Sequence, residues 1–131
     1  MKTLTPEGWA PAVGYANGIE TEGGRLVFIA GQIGWDADQT FHSDDLAAQF
    51  EQALANTIAV LEAAGGEPQH ICRITAFCTD KPAYVAARRA LGGIWKRQIG
   101  RHYPVMTMVF VSALLEDRAV IELEATAVVP D

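Results

Sequence analysis

The chain lacks the sequence signatures of the common nucleotide-binding and hydrolytic sites. No GxxxxGK(S/T), GxGxxG, GxSxG or HExxH pattern occurs in its 131 residues, which excludes the usual phosphate loops, nucleophile elbows and zinc-protease helices. The histidines His42, His70 and His102 are isolated from one another in the sequence. Because zinc sites use closely spaced Cys and His ligands, we expect no metal site and no cofactor.

Four short stretches near the ends of predicted elements remain as candidates for chemistry. Tyr15 precedes the first predicted strand, Gly31 ends the second, the stretch 104–108 opens the fourth, and Glu122 lies in the last. A carboxylate such as that of Glu122 can orient a water molecule or move a proton. These stretches indicate a small-molecule site assembled from distant parts of the chain.

A small basic cluster lies around the end of the second predicted helix. It consists of Lys96, Arg97, Arg101 and His102. Cations at this position complement the partial negative charge of a helix C-terminus. We interpret the cluster as a stabilised helix end, with an anion-binding site as the alternative.

Two strands are predicted around a diglycine turn. The segments 18–22 and 25–33 flank Gly23 and Gly24, and glycine readily adopts the positive φ that tight hairpin turns require. The run 26–30 is continuously apolar, which is typical of a strand buried on both faces. We therefore expect a hairpin whose second strand lies inside the sheet.

Helical patterns occur at two places. The first follows possible N-caps at 43–45 and ends before the Gly65–Gly66 pair. The second spans 83–99, although each glycine of the Gly92–Gly93 pair costs about 1 kcal/mol relative to alanine. The apolar stripes are Leu46, Phe50, Leu54, Ile58 and Leu61 in the first helix and Tyr84, Leu91, Ile94 and Trp95 in the second.

Three further strands complete a ββαβαββ order within a single domain, residues 1–131. They span 70–79, 105–111 and 119–129, where β-branched residues and alternation favour extended structure. Both helices then cross over one face of a mixed sheet. The order predicts an α+β fold, a two-layer sandwich.

The second face of this sheet is expected to remain open. The last strand separates two sets, with Ile121, Leu123, Ala125 and Ala127 on one face and Val120, Glu122, Glu124, Thr126 and Val128 on the other. If the first set packs on the helices, the second forms a mostly apolar surface with two carboxylates. Such a surface predicts association of subunits.

Composition excludes several classes of partner. The chain has 10 Lys and Arg against 16 Asp and Glu, a net charge of −6, so it offers no broad basic surface to nucleic acid or an anionic membrane. No apolar run approaches the ~20 residues of a spanning helix, and the first residues show no apolar secretory segment. We expect a cytoplasmic protein with neither nucleic acid nor a membrane as partner.

The two cysteines are expected to stay free. Cys72 and Cys78 lie in one predicted strand, which separates them by about 20 Å at ~3.3 Å per residue. A disulfide requires Cα atoms within about 7 Å. Reduced, buried thiols are therefore predicted.

Six stretches, taken in order, carry a family resemblance. They are Gly14-Tyr15, VFIAGQI at 27–33, AQFEQALAN at 48–56, VLEAAG at 60–65, FCTD at 77–80 and IELEATA at 121–127. No single stretch is decisive, but their order and spacing are specific and cover nearly the whole chain. The chain resembles the Rid (YjgF) family of small deaminases that act on reactive enamines and imines.

This resemblance implies a chorismate-mutase-like fold assembled as a homotrimer, RidA-like, with small-molecule clefts between neighbouring subunits. The implied reaction is hydrolysis of a C=N bond, in which water adds to a protonated imine carbon and ammonia leaves. Carried over by position, Glu122 places the water, Gly31 and neighbouring amides hold the substrate, and Tyr15 closes the cleft.

Four positions depart from the family pattern. Met106 stands where active members carry an arginine that pairs with the substrate carboxylate, and a thioether cannot form that charge-assisted pair. Ala30 replaces a serine or threonine, Met108 replaces a cysteine, and Arg88 falls where the helix often has asparagine. The usual anchor for a 2-imino acid is therefore missing.

Three functions are consistent with these departures. In the first, the cleft hydrolyses an enamine or imine that has no carboxylate, or whose carboxylate is held by a relocated cation such as Arg88, Arg89 or Arg101. In the second, Met106 and Met108 form a soft apolar pocket that binds a metabolite without turnover. In the third, the trimer is an interaction module. The net charge of −6 and the absence of a histidine pair argue against RNA cleavage, an activity with which some relatives are labelled.

Each candidate residue also has a purely structural interpretation. Met106 and Met108 could fill the core of a strand, and Glu122 could form a salt bridge between subunits. Arg88 and Arg89, on a helix, could be solvated surface charges.

Overall fold

Two helices lie on one face of a four-stranded sheet in the computed structural model, which describes residues 1–131. A separate two-stranded ribbon and a short 3-10 turn, Pro68–His70, complete the fold. The ribbon contains β1 (Lys2–Leu4) and β2 (Gly18–Glu20), the sheet contains β3 (Arg25–Ile33), β4 (Ile71–Cys78), β5 (Val105–Phe110) and β6 (Ile121–Val129), and the helices are α1 (Leu46–Ala63) and α2 (Lys81–Gln98).

The sheet is mixed, as predicted. Its strand order is β3-β6-β4-β5, with β6 antiparallel to both β3 and β4. β4 and β5 are parallel, and α2 forms the crossover between them. The two-layer α+β prediction is confirmed.

The core lies between the helices and one face of the sheet. The predicted alternation of β6 is confirmed, because Ile121, Leu123 and Ala127 are buried while Glu122 and Glu124 are not. Alternate burial is what a strand with one covered face requires. The sheet face that carries Glu122 is left uncovered by the chain itself.

Side-chain caps fix where both helices begin. An Asp45 Oδ2 accepts a hydrogen bond from the Ala48 N–H at 3.0 Å, and Asp80 Oδ1 accepts one from Ala83 N–H at 3.0 Å. These bonds satisfy amides that have no partner within the helix. α2 begins two residues before the predicted start because Pro82, which needs no N–H partner, fits its first turn.

A buried amide connects α1 to the start of β6. The Gln49 side chain is 1% exposed; its Nε2 donates to the Ser43 and Arg118 carbonyls at 3.0 and 2.9 Å, and its Oε1 accepts from the Val120 N–H at 2.9 Å. Gly34 makes room for it, since a Cβ there would lie 2.7 Å from Gln49 Cα. Gln49 therefore sets the position at which β6 enters the sheet.

The predicted hairpin between 18–22 and 25–33 is wrong. β2 pairs with β1, a strand that the sequence did not suggest, and the nine-residue β3 pairs with β6, which is equally long. Gly23 and Gly24 both have positive φ, but they redirect the chain from the ribbon into the sheet. The longer partner offers β3 more ladder hydrogen bonds than the three-residue β2 could.

The expectation that β3 is buried on both faces is also wrong for the single chain. Leu26 and Phe28 are 59% and 75% exposed, whereas Ile29 is 4% exposed. The helices cover only one face of β3. Its apolar residues on the other face belong to the open surface of the sheet.

Candidate functional site

The residues predicted to form one site fall into two groups on opposite faces of the sheet. Tyr15, Arg88, Met106 and Met108 line a cavity of about 830 Å³ on the helix side. Ala30, Gly31 and Glu122 lie on the open face, around the junction of β3 and β6. Within one chain the sheet separates the two groups.

Strand pairing explains why the methionines face the helices. Met106 is paired with Ile74 and Met108 with Ala76 in the parallel ladder. Laterally paired residues point to the same face, and both partners are buried against the helices. The methionines are half-buried at the floor of this helix-side cavity and also pack against the core.

An aromatic stack forms one wall of the helix-side cavity. The Trp95 and Tyr103 rings are stacked with centroids 6.4 Å apart and planes 7° from parallel. Trp95 Nε1 donates to the His102 carbonyl at 3.1 Å, and His102 Nε2 lies 2.6 Å from the Ile71 carbonyl. These contacts fix the segment between α2 and β5 against the end of the sheet.

The N-terminal segment closes the other side of the cavity. The Ala16 N–H donates to the Pro104 carbonyl at 3.0 Å, and Ala16 forms an isolated parallel bridge with Val105. This bridge holds Tyr15 at the cavity, where the ring is partly exposed. Tyr15 is therefore placed by a backbone contact with the start of β5.

Three cations line the helix-side cavity: Arg88, Arg89 and Lys96. The ion pairs of the chain join His42 to Asp36, Arg97 to Glu51 and Arg118 to Asp44, so none of the three cations has a carboxylate partner within 4.0 Å.

The predicted basic cluster is divided by the structure. Arg97 is paired with Glu51 at 2.9 Å. Arg101, which with Arg88 and Arg89 is a candidate for a relocated anchor, does not line the helix-side cavity. Lys96 does line it. Arg88, Arg89 and Lys96 are thus the cations available to a ligand there.

A β-bulge shapes the open-face group. Ile29 pairs with Ala125 and Gln32 pairs with Leu123, so Ala30 and Gly31 together oppose the single residue Glu124. Bulges of this kind redirect side chains and are common beside active sites. Here the bulge turns the β3 backbone towards the side chain of Glu122.

Glu122 lies directly over Gly31. A Cβ on Gly31 would overlap the carboxylate and would lie 2.8 Å from Glu122 Cδ. The glycine is therefore required for this close approach. The Glu122 carboxylate is half-buried and has no hydrogen-bond or ion-pair partner within the chain.

A hollow of about 530 Å³ lies beside this group on the open face. It is lined by Ala30, Arg73, Thr75 and Glu124, among others. Sequence reasoning did not select Arg73 and Thr75. The available signal was their alternation with Ile74 and Ala76, which are buried on the other face.

The thiols take no part in either group. Both are free, as predicted; Cys78 is buried, but the prediction of burial is wrong for Cys72, which is only half-buried. Burial raises the pKa of the Cys72 thiol, whose Sγ–H donates to the Thr126 carbonyl at 3.2 Å. A protonated, hydrogen-bonded thiol is a poor nucleophile at neutral pH.

The loop between β3 and α1 contains an exposed ion pair. His42 Nε2 lies 2.6 Å from Asp36 Oδ2, and the Asp38 and Thr40 amides donate to Asp36 Oδ1 at 2.9 and 3.0 Å. The pKa of Asp36 is lowered below its ordinary 3.8, chiefly by the His42 hydrogen bond and then by the amide of Thr40. The pair organises the loop rather than a ligand site.

No group of three or more His, Cys, Asp or Glu residues is arranged to hold a metal ion. Neither helix is long and apolar enough to span a membrane.

Comparison with known proteins gives one family. The family model described as Endoribonuclease L-PSP matches residues 6–129. Protein DfrA of Myxococcus xanthus is 33% identical over 115 residues, which are 87% of this chain and 84% of that protein. The 2-iminobutanoate/2-iminopropanoate deaminase of Salmonella typhimurium is 30% identical over 128 residues, 97% of each chain.

Solved structures agree with the fold. YyfB of Yersinia pestis, a Rid-family protein of unknown function, matches with a TM-score of 0.86 at 32% identity over 98% of both chains. TdcF of E. coli, solved with bound serine, matches with a TM-score of 0.68 at 28% identity over 98% of both chains. These matches cover both groups of candidate residues.

Proposed function

Since this chain belongs to the Rid (YjgF) family, the family described as Endoribonuclease L-PSP, we propose that it hydrolyses the C=N bond of a reactive enamine or imine. The observation that carries the proposal is the unpaired Glu122 carboxylate held against the glycine of a β-bulge. An enamine enters the reaction as its imine tautomer. The products are a carbonyl compound and ammonia.

The proposed reaction needs one base and one water. Glu122 accepts a proton from the water as the oxygen bonds to the protonated imine carbon, and the C=N π electrons move to nitrogen. Glu122 then returns this proton to the nitrogen, the C–N bond breaks with its electron pair to release ammonia, and the hydroxyl gives its proton to Glu122 as the carbonyl forms. The Gly31 region supplies backbone groups close to the same carboxylate.

A complete site is proposed to require a second copy of the chain. The open-face group and the helix-side cavity lie on opposite faces of one sheet, so one subunit does not bring them together. The open face also carries Leu26 and Phe28, both more than half exposed, and apolar surface of this kind favours association. We propose a homotrimer with a ligand cleft between subunits.

Substrate recognition is assigned to the helix-side cavity. Met106 cannot bind a carboxylate, but Arg88 lines the same cavity and has no carboxylate partner in the chain. Arg88 would therefore bind the substrate carboxylate in place of the arginine that active family members carry at the position of Met106. Arg89 lies beside it on the helix. Tyr15 would close the cavity from the N-terminal side.

A second candidate function is metabolite binding without turnover. It is favoured by the mainly apolar lining of the helix-side cavity, where Met106 and Met108 adapt to irregular ligands.

RNA cleavage is not proposed, because the chain carries a net charge of −6 and nucleic-acid binding depends on basic surface. The proposed location is the cytoplasm, where the free thiols Cys72 and Cys78 stay reduced.

The test is ammonia release from imines generated in situ, with and without a carboxylate. Turnover above the buffer rate supports the enzyme, and its dependence on the carboxylate shows whether a cation anchors the substrate. If no imine is hydrolysed but a ligand raises the midpoint of thermal unfolding, metabolite binding replaces hydrolysis as the proposed function. Sedimentation as a stable monomer would contradict the shared cleft.

A further inference from the structure

Gly92 lies in the middle of α2 without a structural requirement for glycine. Its φ is not positive, and a Cβ added there would touch nothing within 4 Å. Alanine is the better helix former, so the fold alone does not favour glycine here. What glycine provides is an open stretch of helix surface in the wall of the helix-side cavity.

Two cations flank this open stretch on the same ridge of the helix. Arg88 precedes Gly92 by four residues and Lys96 follows it by four, and residues four apart in a helix share a face about 6 Å apart along the axis. Both cations line the cavity, and neither has a carboxylate partner. In a chain with a net charge of −6, unpaired cations at a cavity indicate an anionic ligand group.

The remainder of the cavity is large and apolar. Its volume of about 830 Å³ lies within the range of sites for drug-sized ligands, about 300–1,000 Å³. A one- or two-carbon side chain would occupy a small fraction of it. Besides Tyr15, its ring-bearing and thioether lining residues are Phe50, Tyr84, Trp95, Tyr103, Met106 and Met108.

We propose, building on the function above, that the substrates are 2-imino acids with a large apolar side chain, aromatic or long and branched. The carboxylate binds at Arg88, and the apolar side chain lies over Gly92 between the helix and the two methionines. This proposal also gives a physical reason for Met106 at the position where active family members carry an arginine. The methionine removes a charge from the floor on which the apolar side chain packs.

The pocket is tested separately from turnover, with stable 2-keto acids as probes. Calorimetry is expected to show phenylpyruvate binding about tenfold or more tightly than pyruvate, because each buried methylene adds to discrimination in an apolar pocket. Arg88→Ala weakens both ligands. Gly92→Leu, which fills the open stretch, weakens phenylpyruvate about tenfold and leaves pyruvate nearly unchanged.

Ala90→Leu is the matched control, since Ala90 is exposed on the same helix and does not line the cavity. It should leave both affinities unchanged, and circular dichroism verifies that each variant is folded. Equal affinity for the two keto acids, or a Gly92→Leu protein that binds phenylpyruvate as the parent does, would overturn the proposal.

Turnover is then measured with imines that an amino-acid oxidase makes from phenylalanine and from alanine, with catalase present. A higher kcat/KM for the phenylalanine-derived imine supports both proposals. Hydrolysis that favours the alanine-derived imine rejects the pocket but keeps the proposed reaction. Selective binding of phenylpyruvate without hydrolysis of either imine supports the pocket and rejects the reaction.

Discussion

Two glycines, Gly31 in strand β3 and Gly92 in helix α2, show how differently the two halves of the candidate site are built. Gly31 has no room for a Cβ, because the side chain of Glu122 fills that space. At Gly92 a Cβ would meet nothing. The open-face group is thus closely packed around one carboxylate, whereas the helix-side cavity is wide and contains unpaired cations.

The roles proposed for the two halves account for this difference. A group that places water or moves a proton must be held within hydrogen-bond reach of the reacting atom, and an error of about 1 Å lowers the rate about a hundredfold. A cavity that receives part of a substrate can change its lining and still bind a related molecule. By the family resemblance, Glu122 and Gly31 keep the family pattern, while Met106, Met108 and Arg88 depart from it.

The largest expected effect on stability comes from Gln49→Leu, which would release the start of β6. The change leaves the Val120 N–H and the Ser43 and Arg118 carbonyls without the partner they have now. A loss of about 3 kcal/mol in the free energy of unfolding is expected, since each buried unpaired group costs about 1–3 kcal/mol. Urea denaturation measures it, and a loss below about 0.5 kcal/mol would show that Gln49 does not hold β6.

Gly31→Ala tests how closely the open-face half is packed. The new Cβ must displace the Glu122 carboxylate, so the rate of imine hydrolysis should fall about a hundredfold. Stability should change little, because the flexible Glu122 side chain can move aside.

Gly92→Ala should instead raise the free energy of unfolding by about 1 kcal/mol, because alanine is preferred over glycine inside a helix. Similar stability and rate effects at the two glycines would contradict the contrast between the halves.

Met106→Arg tests the helix-side half. An arginine at the half-buried floor of the cavity would supply a bidentate partner for a carboxylate. The expected result is about a tenfold rise in kcat/KM for small 2-imino acids, about 1.4 kcal/mol of transition-state stabilisation. The control is kcat/KM of the same variant for imines that lack a carboxylate, which should not rise.

The smallest expected effect lies away from both halves, at Asp36. Because the pKa of Asp36 in the folded chain is below its ordinary 3.8, ionised Asp36 stabilises the fold above about pH 4, and this contribution is lost as the pH falls through the lowered value. The difference in the midpoint of thermal unfolding between the parent and Asp36→Asn should therefore be present at pH 7 and shrink at pH 3. A difference that is the same at both pH values would contradict a stabilising role for ionised Asp36.

Local signals in the sequence were sufficient for much of the fold. The possible N-caps at 43–45 and the apolar spacing that follows them located α1, and the alternation from Ile121 to Ala127 separated the two faces of β6. Cap hydrogen bonds and side-chain alternation depend on neighbours a few residues away. Such features can be read without knowing how the strands pair.

Pairing between distant strands could not be inferred in this way. The choice of β6 over β2 as the partner of β3 depends on ladder length, and the bulge at Ala30 and Gly31 exists only in the register with β6. The family resemblance named Tyr15, Gly31 and Glu122 as parts of one site, but it did not show that the sheet separates them within a chain. That separation depends on the pairing of β5 with β4.

Glu122 is proposed to be the catalytic base. The most direct test compares Glu122→Gln with Glu124→Gln, the neighbouring carboxylate on the same face, in hydrolysis of the best imine substrate. Glu122→Gln should lower kcat about a thousandfold, about 4 kcal/mol of activation free energy, without changing sedimentation or thermal unfolding. Glu124→Gln should keep a rate near that of the parent. A Glu122→Gln protein that retains the parent rate, or an equal loss of rate in both variants, would contradict the catalytic role of Glu122.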